Sequence, residues 1–282
     1  MVKHCIDQFC VFGNPINHTQ SPYIHSLFSK QTGIVYEYSA RLVPFKEFNS
    51  YVLNFFLNKG KGANITVPFK ENAYVISNNL TIRAKMSRAV NTFKKLHNNK
   101  ILGDNTDGIG VLHDLKRIKF IKSKFNRVLL IGAGGAARGI IFSLLSYGCS
   151  IVVLNRTITR ALQLVEDFKN VGSISIFKEK FASNYSFNLI INATTINICQ
   201  NSNLSTIKSL IHKDVYCYDI NYSIKHKYTE FLLWCIKNGA ICVSNGIGML
   251  VSQAAHSFYL WYGILPETNS IICKLNRQFY ML

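Results

Sequence analysis

Short apolar runs alternate along the chain with longer segments whose apolar residues recur at helical spacing, and this alternation predicts an α/β architecture. Phe9 to Gly13 reads as the end of a first strand. Ser21-Pro22 reads as a helix start, with Ser as N-cap, Pro at the first helical position and Gly33 as the close. Ile34 to Val43 reads as a strand, and Pro44 to Asn58 as a helix ended by Gly60. Ala63 to Val67 is a short strand, after which Pro68 begins another helix. Thr92 to Leu102, with polar His97 to Lys100 in its middle, reads as a hairpin.

The texture changes at Arg127. An apolar strand, a glycine turn and a helix follow in order, and Ser150 to Thr157 supplies a second strand. Phe187 to Thr194 and Val215 to Ile220 are further continuous apolar runs, as expected of parallel strands covered on both faces. A last long helix, Ile247 to Tyr262, follows the turn at Asn245 to Gly248 and is expected to cross back to the first domain. There is no internal repeat and no low-complexity linker.

Gly132-Ala133-Gly134-Gly135-Ala136-Ala137 fits the G-x-G-x-x-[G/A] pattern of dinucleotide sites, and it stands between a strand and a helix, where that pattern has meaning. The first glycine allows the tight turn, the second lets backbone approach a pyrophosphate, and small Ala137 allows close helix–strand packing. The amides at the helix start then face the phosphates. Asn155-Arg156-Thr157 ends the second strand, with Arg160 one turn on. NAD sites commonly carry a carboxylate there; here none repels a 2′-phosphate and two guanidinium groups can receive one, so NADP(H) is the expected cofactor.

The expected fold is therefore two α/β domains. One is a Rossmann-type doubly wound parallel sheet for NADP over residues 107–244, and the other is a substrate-binding domain over residues 1–106, completed by C-terminal helices over 245–282. With 282 residues, two domains are also the default on size. Hydrophobic residues make up 48% and charged residues 16%, which leaves ample material for a core and excludes a largely disordered chain. The N-terminal segment meets polar residues too early for a signal peptide, and no uncharged apolar run is long enough to span a membrane, so a cytoplasmic protein is expected. The eight cysteines form no CxxC pair and do not cluster with histidines, so reduced, buried thiols are expected, with no metal site. The net charge of +18 raises nucleic acid as a partner, but Lys and Arg are scattered among abundant Asn, Ile, Phe and Tyr; no nucleic-acid partner is expected, and part of the excess serves to attract anionic ligands.

Four further segments concentrate polar residues: Gly13 to Pro22, Asn64 to Lys70, Ala89 to Thr92 and Gly103 to Gly108. Each alone could be a turn or helix start. With the glycine turn, Asn155 to Arg160 and Asn245 to Ala254, in this order and spacing, they resemble the shikimate dehydrogenase family from about Val11 to Gly263. That resemblance implies reversible NADPH-dependent reduction of 3-dehydroshikimate to shikimate in aromatic amino acid biosynthesis, by a monomer or homodimer; the alternatives are a quinate/shikimate dehydrogenase using NAD and a non-catalytic dinucleotide-binding regulator. It implies Lys70 as general acid/base, oriented by Asp107, which also bonds a substrate hydroxyl. Thr19 and Ser21 match the residues for the substrate carboxylate, with Tyr222 from the other domain. Thr66, Asn91 and Gln253 match contacts to ring hydroxyls or carboxylate. Gly132, Ala133, Gly134, Gly135, Ala136, Asn155, Arg156, Thr157, Arg160, Ile220 and Gly246 match cofactor positions, as does the segment beginning at Met249. The chain departs from the family pattern at Thr19 (usually Ser), Ile82 (usually acidic), Thr195-Ile196-Asn197 (usually Ser-Ser-Gly), Glu230 (where Pro is expected after Thr229) and Asn245 (frequently Asp). His18, His25 and His256 are expected to serve as structural hydrogen-bonding groups.

Overall fold

The structure is a computed structural model that describes residues 6–121, 126–194 and 207–280. The chain divides into two compact units, Met1–Asp107 with Val251–Ile271, and Gly108–Leu250 with Ile272–Leu282. The expectation that all of 245–282 returns to the first domain is thus corrected: only its middle part does.

The first unit is built on a six-stranded mixed sheet of β1 (Gln8–Gly13), β2 (Glu37–Leu42), β3 (Gly60–Ile65), β4 (Asn79–Leu80), β5 (Thr92–Lys95) and β6 (Ile101–Asp104), in the order β2-β1-β3-β5-β6-β4. β1 pairs in parallel with β2 and β3, whereas β5 runs antiparallel to β3 and β6. Helices α1 (Ser21–Thr32), α2 (Phe48–Leu57), α3 (Lys70–Ile76) and α4 (Ile82–Ser87) connect these strands. Cys10, Phe12, Phe48, Val52, Phe55, Phe69 and Phe93 belong to one buried cluster of this unit.

Local chemistry moved several element ends from their expected places. Gln20, not Ser21, is the N-cap of α1; Ser21 is the first helical residue, and its N–H donates to Thr19 Oγ1 at 3.3 Å. Pro44 makes a turn, closed by Glu47 N–H donating to the Pro44 carbonyl at 3.0 Å, so α2 starts only at buried Phe48. Gly60 does not end that helix. Lys59 takes the left-handed conformation instead (φ 75°), and Gly60 opens β3 where a side chain would collide with the Phe55 ring.

The second unit carries six parallel strands: β7 (Arg127–Ile131), β8 (Ser150–Leu154), β9 (Ile174–Ile176), β10 (Leu189–Asn192), β11 (Tyr216–Asp219) and β12 (Cys242–Ser244). Their order, β12-β11-β10-β7-β8-β9, is the doubly wound 3-2-1-4-5-6 arrangement read from the other edge. The remaining α-helices among the described residues of the chain are α5 (Asp107–Arg117), α6 (Gly135–Tyr147), α7 (Ile158–Phe168), α8 (Glu230–Lys237), α9 (Ile247–Tyr262) and α10 (Asn269–Tyr280). α5 begins at the last residue of the first stretch of unit one, and α9 runs from the second unit's segment into the first unit's at Val251.

Among the described cysteines all are free; Cys10, Cys149, Cys217 and Cys235 are buried as expected, but Cys242 is half-buried and Cys273 exposed. Among the described residues no helix is long and apolar enough to cross a membrane, and no group of three or more His, Cys, Asp or Glu is placed to hold a metal.

Candidate active site

Phe69 caps α3 and fixes where that helix starts: it is buried and stacks on Phe48 at 4.8 Å between ring centroids. Lys70 is therefore the first helical residue, and its carbonyl accepts from Val90 N–H at 2.9 Å. Its Nζ donates to Asp107 Oδ2 at 2.5 Å, with the lysine side chain 23% and the aspartate 8% exposed. The pair, 37 residues apart in sequence, is thus shielded without being sealed from solvent. Asp107 opens α5, and its N–H donates to Asn105 Oδ1 at 3.1 Å. Asn105 in turn donates to Ser87 Oγ and the Ala89 carbonyl, each at 3.1 Å.

Asn91 locks the other carboxylate oxygen. Its Nδ2 donates to Asp107 Oδ1 at 2.8 Å and to Thr106 Oγ1 at 2.9 Å, with Gln253 Oε1 at 3.4 Å. Its Oδ1 accepts from Thr106 N–H at 2.8 Å and from Thr92 Oγ1 at 2.9 Å. Buried amides and hydroxyls are costly unless paired, and here they are paired with one another. The network continues inward: Asn64 Nδ2 donates to Ser257 Oγ at 2.9 Å and Thr92 Oγ1 at 3.1 Å, while Tyr38 Oη donates to Asn64 Oδ1 at 2.8 Å. The Ser21 hydroxyl bonds Tyr38, and Thr19 Oγ1 donates to Ser21 Oγ at 3.2 Å. A continuous hydrogen-bonded chain therefore joins Thr19 and Ser21 to Asp107 and Lys70. Thr66 is held by its backbone, its N–H donating to Phe12 O at 2.9 Å and its carbonyl accepting from Phe69 N–H at 3.0 Å; its side chain is half-buried beside Gly13. Sequence reasoning singled out the segments of Asn64 and Thr92 but not Tyr38 or Ser257. Ser257 sits in an apolar helix where a lone hydroxyl carries no distinguishing pattern.

His25 underlies this chain. It is fully buried, stacks on Tyr38 at 3.9 Å, and its Nδ1 lies 2.9 Å from Tyr36 Oη, which donates to the His25 carbonyl. Burial pushes the imidazole down to about 3, so it stays neutral and structural. His18 is exposed, its carbonyl 3.5 Å from Gln20 Nε2, and His256 is half-buried with a partner of its own.

In the second unit, Gly132 follows β7 with φ 113°, a conformation that favours glycine. Gly134 and Gly135 are exposed, with open space where a side chain would stand. No side chain caps the 13-residue helix α6, so its first amides are left for an anion. Ala133 and Ala136 are half-buried beside them. Asn155 clips the turn to β8: its Oδ1 accepts from Ala133 N–H at 3.1 Å, and its Nδ2 donates to the Thr157 carbonyl at 2.8 Å. Arg156, Thr157 and Arg160 are exposed just beyond. These features suit a dinucleotide with an extra phosphate.

Ile220 and Tyr222 are half-buried after β11, and burial raises the Tyr222 phenol above its ordinary value. Gly246 is buried against the Ile220 backbone, where any side chain would collide with the Ile220 carbonyl, and its N–H donates to Asn221 O at 3.0 Å. Packing alone thus requires glycine there. Sequence reasoning missed the latch behind these residues. Asp219 accepts from Asn192 Nδ2 at 3.0 Å, Asn221 Nδ2 at 2.9 Å and Thr229 Oγ1 at 2.5 Å; its burial still holds the carboxyl above its ordinary value. Thr229 also caps α8, which explains Glu230: an acid in the first turn suits the helix dipole. Ile82 occupies the corresponding first position of α4 and is 71% exposed. Asn245 Oδ1 accepts from Ile247 N–H at 3.1 Å, the role an Asp would also fill. Thr195, Ile196 and Asn197 lie outside the described residues.

Residues 11–93 match the family described as shikimate dehydrogenase substrate binding domain, and residues 114–222 match shikimate / quinate 5-dehydrogenase. A curated shikimate dehydrogenase (NADP(+)) of Buchnera aphidicola from Schizaphis graminum is 49% identical over 268 residues, covering 95% of this chain and 96% of the relative. The crystal structure of an Ael1 enzyme from Pseudomonas putida superposes with TM-score 0.86 at 32% identity, covering 95% of this chain and 98% of the other. The shikimate 5-dehydrogenase of Thermus thermophilus, solved in complex with NADP(H) and shikimate, superposes with TM-score 0.82 at 28% identity, covering 97% of this chain and 100% of the other. Shared sequence over nearly the full length of the curated relative, together with both family matches, establishes that the chain belongs to the shikimate dehydrogenase family.

Proposed function

We propose that this chain catalyses the reversible NADPH-dependent reduction of 3-dehydroshikimate to shikimate, in the cytoplasm, as a monomer or homodimer. The observation that carries the reading is the Lys70–Asp107 pair, with Asn91 holding the carboxylate oxygen that Lys70 leaves free. Bound NADPH supplies the hydride that adds to C3 of the ketone. Lys70 donates a proton from Nζ to the carbonyl oxygen as that oxygen gains charge, and takes it back in the oxidative direction. Asp107 keeps the ammonium in place with Oδ2 and accepts from a substrate hydroxyl. Asn91, Gln253 and Thr66 bond ring hydroxyls or carboxylate, Thr19 and Ser21 hold the carboxylate, and the family pattern assigns Tyr222 to that carboxylate as well. A polyhydroxy acid needs such short polar groups, since each unpaired buried hydroxyl costs about 1–3 kcal/mol.

We assign the cofactor's pyrophosphate to Gly132 through Ala136 and the start of α6, its 2′-phosphate to Arg156 and Arg160, its ribose to Asn155 and Thr157, and its nicotinamide end to Ile220, Gly246 and the segment from Met249. No step requires a metal. The test follows NADPH absorbance with shikimate and NADP, beside quinate and NAD. Shikimate with NADP is expected to be the preferred pair, and Lys70→Ala to lower kcat by roughly 10²–10⁴. Absence of NADP reduction by shikimate, or normal turnover in the variant, refutes the assignment.

A further inference from the structure

The second unit holds a cavity that none of these roles uses. Its volume is about 430 Å³, inside the roughly 300–1,000 Å³ range of small-molecule sites. Among the described residues three cations line it, Arg117, Lys227 and Arg277, and no carboxylate does. Asp114 is fully buried, pairs with Arg117 at 2.7 Å and accepts from Tyr218 Oη at 2.7 Å, so it balances Arg117, and the cationic character of the cavity rests on Lys227 and Arg277. The walls between the cations are Tyr228, Tyr280 and Ile247, and the Lys227 ammonium lies 5.4 Å over the Tyr228 ring. Ile247 is also the first residue of the 16-residue helix α9, so the positive end of its dipole adds to the same field. Aromatic walls suit a flat ring, and a cationic rim without acids suits a carboxylate on that ring.

We propose that this cavity binds a small ring-bearing carboxylate and that its occupancy acts on the substrate and cofactor segments next to it. Tyr280 Oη donates to the Ser223 carbonyl at 2.8 Å, one residue after Tyr222. Asn245, one residue before Gly246, donates through Nδ2 to Tyr280 Oη at 3.2 Å and to the Lys227 carbonyl at 3.1 Å. A ligand against Tyr280 therefore loads both segments at once. The coupling rests on the roles proposed above for Tyr222 and Gly246; the binding does not.

Benzoate is the probe, titrated by calorimetry into protein saturated with shikimate and NADPH, a pair that cannot exchange hydride and that occupies the sites assigned above. Binding of shikimate and NADPH is measured first, so that failure of the assigned function appears there and not in the benzoate titration. Saturable benzoate binding is expected, absent for neutral benzamide. It should weaken about tenfold or more when Arg277→Glu is combined with Lys227→Glu, and persist in Lys213→Glu, a charge reversal at an exposed residue outside the cavity. No binding, or an equal loss in Lys213→Glu, overturns the site. Benzoate should also shift the shikimate KM in the parent protein and not in the double variant; a KM unmoved while benzoate binds overturns the coupling.

Discussion

Replacing Asp107 by Asn changes almost no volume and removes one charge, so it isolates what the carboxylate does. In the parent, Oδ2 accepts from Lys70 Nζ at 2.5 Å and Oδ1 accepts from Asn91 Nδ2 at 2.8 Å. An asparagine has one acceptor and one donor group. If its oxygen faces Lys70, its NH₂ meets the Asn91 NH₂; if its oxygen faces Asn91, its NH₂ meets the ammonium. Asn91 cannot simply turn over, because its own oxygen already accepts from Thr106 N–H and Thr92 Oγ1. One buried donor is therefore left against another in either arrangement, at a cost of about 1–3 kcal/mol. For a protein of this size that lowers the melting temperature by about 2–12 °C. Lys70 also loses the anion that fixes its direction, so kcat should fall by roughly 10²–10⁴. The shikimate KM should change less, since an amide still bonds a substrate hydroxyl. Thermal unfolding and steady-state NADP reduction, measured on the same preparation, decide the matter. A lower melting temperature with kcat within about threefold of the parent would show that Asp107 only holds the fold, and the assigned orientation of Lys70 would be refuted.

Stability should also fall in acid through His25. Its folded value is depressed to about 3 from an ordinary value near 6.5, so between those limits the unfolded chain binds a proton that the native chain does not, and stability drops by up to about 1.4 kcal/mol per pH unit as pH falls. Thermal melts from pH 7 to 4 should show a flatter slope in His25→Gln, and parallel slopes would refute the assignment. Arg156→Ala with Arg160→Ala should raise the KM for NADP by about ten- to a hundredfold and leave that for NAD nearly unchanged; equal effects on both cofactors would remove the 2′-phosphate from these side chains.

Much of the second unit was legible because its four central strands, β7, β8, β10 and β11, are buried on both faces. Such strands read as continuous apolar runs, and the strand–glycine–helix order at Ile131 to Ala137 has few other structural uses. Helix α9 was legible to the residue, since Gly246 and Gly248 flank its start and Gly263 follows with φ 74°. The errors fell where one local rule competed with another. Ser21 is a good cap by type, but Gln20 takes the cap and Ser21 joins the polar chain through Thr19 and Tyr38. Gly60 is a good helix stop by type, but it is kept small by the Phe55 ring while Lys59 makes the turn. In both cases tertiary contacts outweigh a propensity of about 1 kcal/mol or less.

The candidate site was legible in its outer residues and opaque in its support, for a reason that follows from how the chain reaches it. Lys70, Asn91 and Asp107 sit beside turn and helix-start signals that a sequence displays locally. The groups that fix them are contributed from far away: Ser257 meets Asn64 across 193 residues and Thr92 across 165. On α9 alone Ser257 looks like an interruption of an apolar face, and its expected bond would be to the carbonyl four residues back, which it also makes, to Gln253 at 3.1 Å. Only pairing β5 against both β3 and β6 brings Asn64, Thr92 and Thr106 to the same hydroxyl. The sheet register, rather than any motif, therefore decides whether Asn91 can hold Asp107, because a slip of one residue would turn Thr92 to the opposite face and take its hydroxyl away from Asn91, Asn64 and Ser257.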